Sequence, residues 1–212
     1  MSTVLENIFN GILDGAQDKV TAEVETALNT GLDAATILND GMIAAMAEVG
    51  RRFEIGDFYV PEMLISARAM QAGLAVLRPR LEQSGVKTRG KVVIGTVKGD
   101  LHDIGKNLVS MMLEGAGYEI KNLGTDVSAE AFVNAIITEK PDILALSALL
   151  TTTMPSMKQI IEAVQAAGLR NQVKIIIGGA PVTETYAQQI GADGYSPDAS
   201  RAVSLAEALL KK

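Results

Sequence analysis

The sequence predicts an α/β protein in two parts, a four-helix bundle followed by a flavodoxin-like, Rossmann-type five-stranded parallel sheet. Three observations predict it. Apolar residues recur at spacings of three to five from Thr3 to about Gln83, with no strand-like alternation. Short β-rich runs alternate with helical stretches after residue 88. Between the two patterns, Glu82 to Gly90 is polar and Gly-bearing and reads as a linker. Domains are therefore placed at 1–87 and 88–212.

In the first part, Leu5, Ile8, Phe9 and Ile12 mark one helix and Val20, Val24 and Leu28 a second. Ile37, Met42, Met46 and Val49 mark a third. Breaks fall at Gly15, at Gly31-Leu32-Asp33 with Asp33 as N-cap, and at Gly56-Asp57, ahead of Pro61 in the first turn of a fourth helix. Four helices with short links make a bundle. In the second part the expected strands are Val92 to Val97, Tyr118 to Leu123, Ile143 to Ser147, Val173 to Ile177, and a weak one at Gly194-Tyr195. Repeated strand-helix units require right-handed crossovers and a parallel sheet.

Composition narrows the function classes. The chain of 212 residues has no cysteine, which removes disulfides, thiolate nucleophiles and zinc-thiolate sites. A net charge of −6 and a pI near 4.9 argue against nucleic acid as a partner. No apolar run approaches the roughly 20 residues that span a bilayer, and the start lacks a signal-like pattern, so a cytoplasmic protein without membrane contact is expected.

The only histidine, His102, lies in Gly99-Asp100-Leu101-His102-Asp103-Ile104-Gly105, between the first strand and a helix. In the expected order the first, third and fourth strands are neighbours. The loops that carry Gly99 to Gly105, Ser147 to Thr153, and Gly178-Gly179-Ala180-Pro181 then converge at the carboxyl edge of the sheet, where such folds bind ligands. Asp100 is spaced to hold one ring nitrogen of His102 while the other faces outward, as for a metal-ligating histidine. Gly178 and Gly179 remove two β-carbons where a strand ends and allow an elongated ligand near the backbone. The hydroxyls of Ser147, Thr151 and Thr153 are candidate donors to a ligand or to Asp100. Lys98 precedes a helix N-terminus, but the loop lacks a phosphate-binding Gly-Lys-Ser/Thr pattern. Asp14, Asp18 and Glu23 read as solvated charges.

Asp100-x-His102-x-x-Gly105, then 41 residues, Ser147-x-Leu149, then 28 residues, and Gly178-Gly179 together resemble the cobalamin-binding signature of base-off, histidine-on corrinoid proteins. The words Thr96-Val97-Lys98-Gly99-Asp100 and Asp103-Ile104-Gly105-Lys106-Asn107 are similar to the corrinoid module of methionine synthase, and the helical part resembles that module's cap. A stand-alone chain of this make-up resembles the corrinoid protein of three-component methyltransferase systems.

The resemblance implies cobalamin, as methylcobalamin or another corrinoid, with His102 as lower axial ligand to cobalt. It implies a relay from His102 through Asp100 to Thr153, where the family has a serine. Gly99, Leu101, Asp103, Ile104, Gly105, Ser147, Leu149 and Thr151 would meet the cofactor, and Gly178 and Gly179 would line the slot for its displaced tail. A turn from Tyr195 to Ala199 would close over the nucleotide end. Tyr59, Met63 and Met70 of the cap would cover the upper cobalt face, although methionines at helical spacing also serve as core filler.

The implied role is a methyl carrier, not an enzyme by itself, working with a substrate:corrinoid methyltransferase. Its other implied partners are a corrinoid:acceptor methyltransferase using tetrahydrofolate or a thiol, and a reductive activase. Two alternatives use the same signature: the cobalamin-binding subunit of an adenosylcobalamin isomerase, and a cobalamin-sensing regulator. A helical region ahead of the sheet favours methyl transfer over the isomerase. Ser147 stands where a phospho-accepting regulator would carry a carboxylate, and no DNA-binding segment is read in the sequence to give a sensor an output.

Overall fold

The protein is described by a computed structural model for residues 2–211. It divides into two compact units: residues up to Thr88 with Glu114–Gly117, and Arg89–Leu113 with the residues from Tyr118 onward.

The first unit contains α1 (Thr3–Leu13), α2 (Gln17–Asn29), α3 (Ala34–Thr36), a π-helical stretch (Ile37–Ile43), α4 (Ala44–Glu54) and α5 (Val60–Ser84). The segments from Ala34 to Glu54 follow one another without a break, so they form the expected third helix, interrupted by π geometry. Asp33 caps it, its carboxylate accepting the Thr36 N–H at 3.1 Å. Ile8, Ile12, Val20, Val24, Met42, Val49, Met63, Met70 and Leu77 are fully buried.

In the second unit, β1 (Lys91–Thr96), β2 (Glu119–Asn122), β3 (Ile143–Ser147), β4 (Lys174–Gly178) and β5 (Gly194–Ser196) form one parallel sheet in the order β2-β1-β3-β4-β5. The helices α6 (Ile104–Gly115), α7 (Ala129–Glu139), α8 (Pro155–Ala166), α9 (Glu184–Ile190) and α10 (Ala199–Leu210) connect and follow the strands. Val93, Leu144, Leu146, Ile175 and Ile177 pack with Phe132 and Ile136 of α7 and Ile160 and Ile161 of α8 in one core. Val92, Ile94, Ala145 and Ile176 are equally buried, as a parallel sheet covered on both faces requires.

Register fixes the functional edge. Thr96 pairs with Ser147, Ser147 with Gly178, and Gly178 with Ser196, so four strands end on one line and their loops open together. Some boundaries differ from the sequence expectation. Tyr118 lies outside β2, its N–H bonded to Leu113 O at 3.1 Å as the helix α6 ends. Val97 lies beyond β1 and pairs singly with Val127. Gly178 belongs to β4 and not to the loop after it. The expected turn from Tyr195 to Ala199 shrinks to Pro197-Asp198, because β5 runs through Ser196 and α10 starts at Ala199, capped by the Asp198 carboxylate on Arg201 N.

Candidate functional site

The loop after β1 is built around one buried carboxylate. Asp100 is fully buried, and its N–H closes a turn onto Val97 O at 3.2 Å. Its Oδ1 accepts the His102 backbone N–H at 3.0 Å and faces His102 Nδ1 at 2.8 Å. Its Oδ2 accepts the Leu149 N–H at 2.8 Å, the Leu150 N–H at 3.3 Å and the Thr153 hydroxyl at 2.7 Å. Burial by itself raises the carboxyl's pKa. The hydrogen bonds from Thr153, Leu149 and His102 outweigh that and hold Asp100 well below the ordinary aspartate range.

An ionised Asp100 settles the histidine tautomer. A carboxylate accepts only, so in the neutral imidazole Nδ1 of His102 carries the proton and Nε2 keeps its lone pair. The His102 side chain is 50% exposed, and Nε2 makes no hydrogen bond among the described residues. Thr96 fixes the backbone beneath it, donating its hydroxyl to His102 O at 2.9 Å.

The two segments joined through Asp100 carry Leu101 (73% exposed), Ile104 (75%), Leu149 and Leu150, four of the nine exposed large hydrophobics among the described residues. Apolar side chains concentrated beside one free imidazole nitrogen make a platform for a large, partly apolar ligand. Gly105 lies in the first turn of α6, and a β-carbon built on it meets nothing within 4 Å. Asp103 steadies that turn, accepting the Asn107 amide at 2.9 Å.

The hydroxyls divide. Thr153 alone reaches Asp100, while Ser147 is half-buried at the end of β3 and Thr151 is exposed, and no side-chain hydrogen bond engages either among the described residues. Gly179 has a reason in the fold itself. It adopts φ +132°, and a β-carbon there would lie 1.8 Å from Ala148 O. A β-carbon on Gly178 would lie 3.1 Å from Ser196 O. Tyr195 is half-buried in β5 and Ala199 is buried at the start of α10. Met63 and Met70 have no exposed surface, whereas Tyr59 is 66% exposed.

Two residues beside the site escaped the sequence reading. Leu150 contributes both a side chain to the platform and an N–H to Asp100. Asp126, after β2, accepts the Gly99 N–H at 2.8 Å and donates its own N–H to Asp100 O at 3.0 Å. The available signal was that β2 neighbours β1 in the expected order, which brings its following loop beside the histidine loop. No group of three or more His, Cys, Asp or Glu residues that could hold a metal ion occurs among the described residues. No described helix is long and apolar enough to cross a membrane.

Residues 90–204 match a family described as B12 binding domain, and residues 4–78 match a second family of the same description. The chain is 46% identical over 210 residues to trimethylamine corrinoid protein 2 of Methanosarcina acetivorans, covering 98% of this chain and 97% of that one. It is 38% identical over 213 residues to a corrinoid protein of Desulfitobacterium hafniense, covering 99% of each. Among solved structures, one chain of the methanol:cobalamin methyltransferase complex of Methanosarcina barkeri superposes with a TM-score of 0.88 at 32% identity, covering 99% of this chain and 80% of that one.

Proposed function

Because the chain belongs to the B12-binding family of corrinoid proteins, we propose that it is a methyl carrier that holds its corrinoid base-off through His102. The carrying observation is the 2.8 Å bond from His102 Nδ1 to buried Asp100, which leaves Nε2 as a free, half-exposed donor.

The residues present suit such a group. One imidazole lone pair is what a metal already held by a macrocycle has room for, and the Leu101, Ile104, Leu149 and Leu150 platform matches a broad, partly apolar ring face. When bound, the corrinoid supplies a cobalt centre able to accept and release a methyl group. The chain's own contribution is positional and electrostatic. Asp100 orients the His102 ring and favours its Nδ1–H tautomer, and Thr153 with the Leu149 and His102 N–H groups keeps Asp100 ionised. Gly178 and Gly179 keep the ends of β4 and its loop free of side chains, which supports a slot for the displaced nucleotide tail. Ser147 and Thr151, with uncommitted hydroxyls, are the donors left for the cofactor's polar rim. The exposed ring of Tyr59 is the cap candidate for the upper face.

The partners are two methyltransferases, one loading and one unloading the carrier, and a reductive activase that returns oxidised cobalt to service. Relatives named for trimethylamine make methylated amines the first donors to test. The test is transfer of carbon-14 label from [methyl-14C]trimethylamine, in the presence of a trimethylamine methyltransferase, to the reduced, cobalamin-loaded chain. Label eluting with wild type and absent from His102→Ala is the expected result. Equal labelling of both, or of neither with amines or methanol as donor, contradicts the reading.

A further inference from the structure

We propose that Asp126, outside the corrinoid signature, is a positioning residue that sets the ring tautomer and aim of His102. Its carboxylate and backbone grip both sides of the segment that carries Asp100. Oδ1 accepts the Gly99 N–H at 2.8 Å, and the Asp126 N–H donates to Asp100 O at 3.0 Å. Oδ2 faces Lys98 Nζ at 2.9 Å, which fixes the carboxylate from the side away from the backbone. From there the path to the imidazole is short, since Asp100 Oδ1 meets both the N–H and the ring of His102.

Three features separate this arrangement from an ordinary surface ion pair. Asp126 takes φ +56°, a conformation that side-chain-bearing residues rarely adopt, and it does so where its N–H and its carboxylate can reach the same segment together. The loop that carries it is itself anchored to β1, by Thr96 N to Gly124 O at 2.9 Å and Val127 N to Thr96 O at 3.0 Å. The Asp100 side chain is held separately by Leu149, Leu150 and Thr153, but on that far side the backbone from Lys98 to Asp100 has one weaker hold among the described residues, Ser156 Oγ to Lys98 O at 3.3 Å. Without the Asp126 carboxylate the Gly99–Asp100 segment gains freedom, and a carboxylate that shifts by a few tenths of an ångström no longer selects the Nδ1–H tautomer.

The test exploits the single histidine, because nitrogen-15 histidine labels only this ring. In the cofactor-free chain, ring-nitrogen NMR of wild type is expected to show the Nδ1–H tautomer. Asp126→Gly, which suits the positive φ and keeps the backbone N–H, is expected to fold normally and show a tautomer mixture. Asp126→Asn, whose amide oxygen can still accept the Gly99 N–H, is expected to restore the wild-type signals. In the cobalamin-loaded form, the histidine-on to histidine-off ratio of Asp126→Gly should fall about tenfold, the lower end for losing an outer partner of a ligand.

Wild-type ring signals in Asp126→Gly overturn the proposal. Should that variant not fold, amide exchange in wild type decides: a protected Gly99 N–H supports the grip, and one exchanging as fast as an unstructured amide overturns it. The cobalt readout rests on the proposed ligation, but the ring readout does not. Wild type that binds cobalamin without histidine ligation would sink the proposed function alone. Normal ligation with unperturbed tautomers in Asp126→Gly would sink this inference alone.

Discussion

Gly179→Ala is expected to destabilise the sheet unit by about 4 kcal/mol or more, at the upper end of single-substitution effects. The β-carbon would fall 1.8 Å from Ala148 O, a backbone atom that cannot rotate away, and φ +132° is a region occupied almost only by glycine. Relief requires the β3 and β4 ends to separate, which breaks the Ala148 N to Gly178 O bond of 3.2 Å. Gly105→Ala is the matched control. It adds the same methyl group to the first turn of a helix, in open space, and is expected to be neutral or to stabilise by up to about 1 kcal/mol. Urea unfolding of the two variants beside wild type checks both. Equal stability of the two would mean that the β3–β4 crossing is looser than the 1.8 Å approach implies.

The second large effect separates a charge from a shape. Asp100→Ala removes the acceptor for the N–H groups of Leu149, Leu150 and His102 and for the Thr153 hydroxyl, and should cost about 3–5 kcal/mol. Thr153 recovers part of this, since its hydroxyl also reaches Leu150 O at 2.9 Å. Asp100→Asn preserves size and one oxygen, so its stability loss should be smaller, about 1–2 kcal/mol. Its effect on the histidine should be the greater one. Every neighbour of the carboxylate is a donor, so the new NH2 group meets a donor on either side. On the Oδ2 side the Thr153 hydroxyl can turn to accept but the Leu149 and Leu150 N–H groups cannot, whereas on the Oδ1 side the ring adjusts: moving its proton from Nδ1 to Nε2 lets Nδ1 accept. A protonated Nε2 cannot ligate, so metal-ligand affinity at His102 should fall about 10–100-fold in a folded protein. Unfolding curves and cobalamin titrations of both variants measure this. An Asn variant that binds like wild type would remove Asp100 from the control of the ring.

Much of this site was legible because it is built from backbone order and spacing. The alternation of strands and helices predicted a parallel sheet, its five strands suggested a flavodoxin-like order, and the observed order β2-β1-β3-β4-β5 places the ends of β1, β3 and β4 side by side. Asp100 two residues before His102 was readable as a ring partner from reach. The choice of Thr153 over Ser147 and Thr151 came from the family resemblance and not from spacing, because it depends on which hydroxyl the first turn leading into α8 points inward. The glycine pair was read as clearance for a ligand, whereas the Ala148 carbonyl already demands Gly179 before any ligand arrives.

Other features left no periodic trace. The π-helical stretch Ile37–Ile43 keeps an apolar pattern that an α-helix also satisfies. Asp126 acts through its backbone and an αL conformation, and neither is encoded by residue spacing. Among the methionines of the helical unit, the apolar period fits both a ligand-facing and a core role. Met63 and Met70 are fully buried, as core filler would be, and Tyr59 is exposed.

The central claim, ligation of cobalt by His102 Nε2, is tested most directly by electron paramagnetic resonance of the chain loaded with cob(II)alamin and labelled with nitrogen-15 histidine. Because the chain has one histidine, any change on labelling belongs to His102. The account predicts that the three-line axial nitrogen splitting of the unlabelled protein becomes two-line on labelling. A three-line pattern unaffected by the label would assign the axial nitrogen to the cofactor's own base, and no nitrogen splitting at all would leave the cobalt without a histidine ligand. Either result would contradict the account.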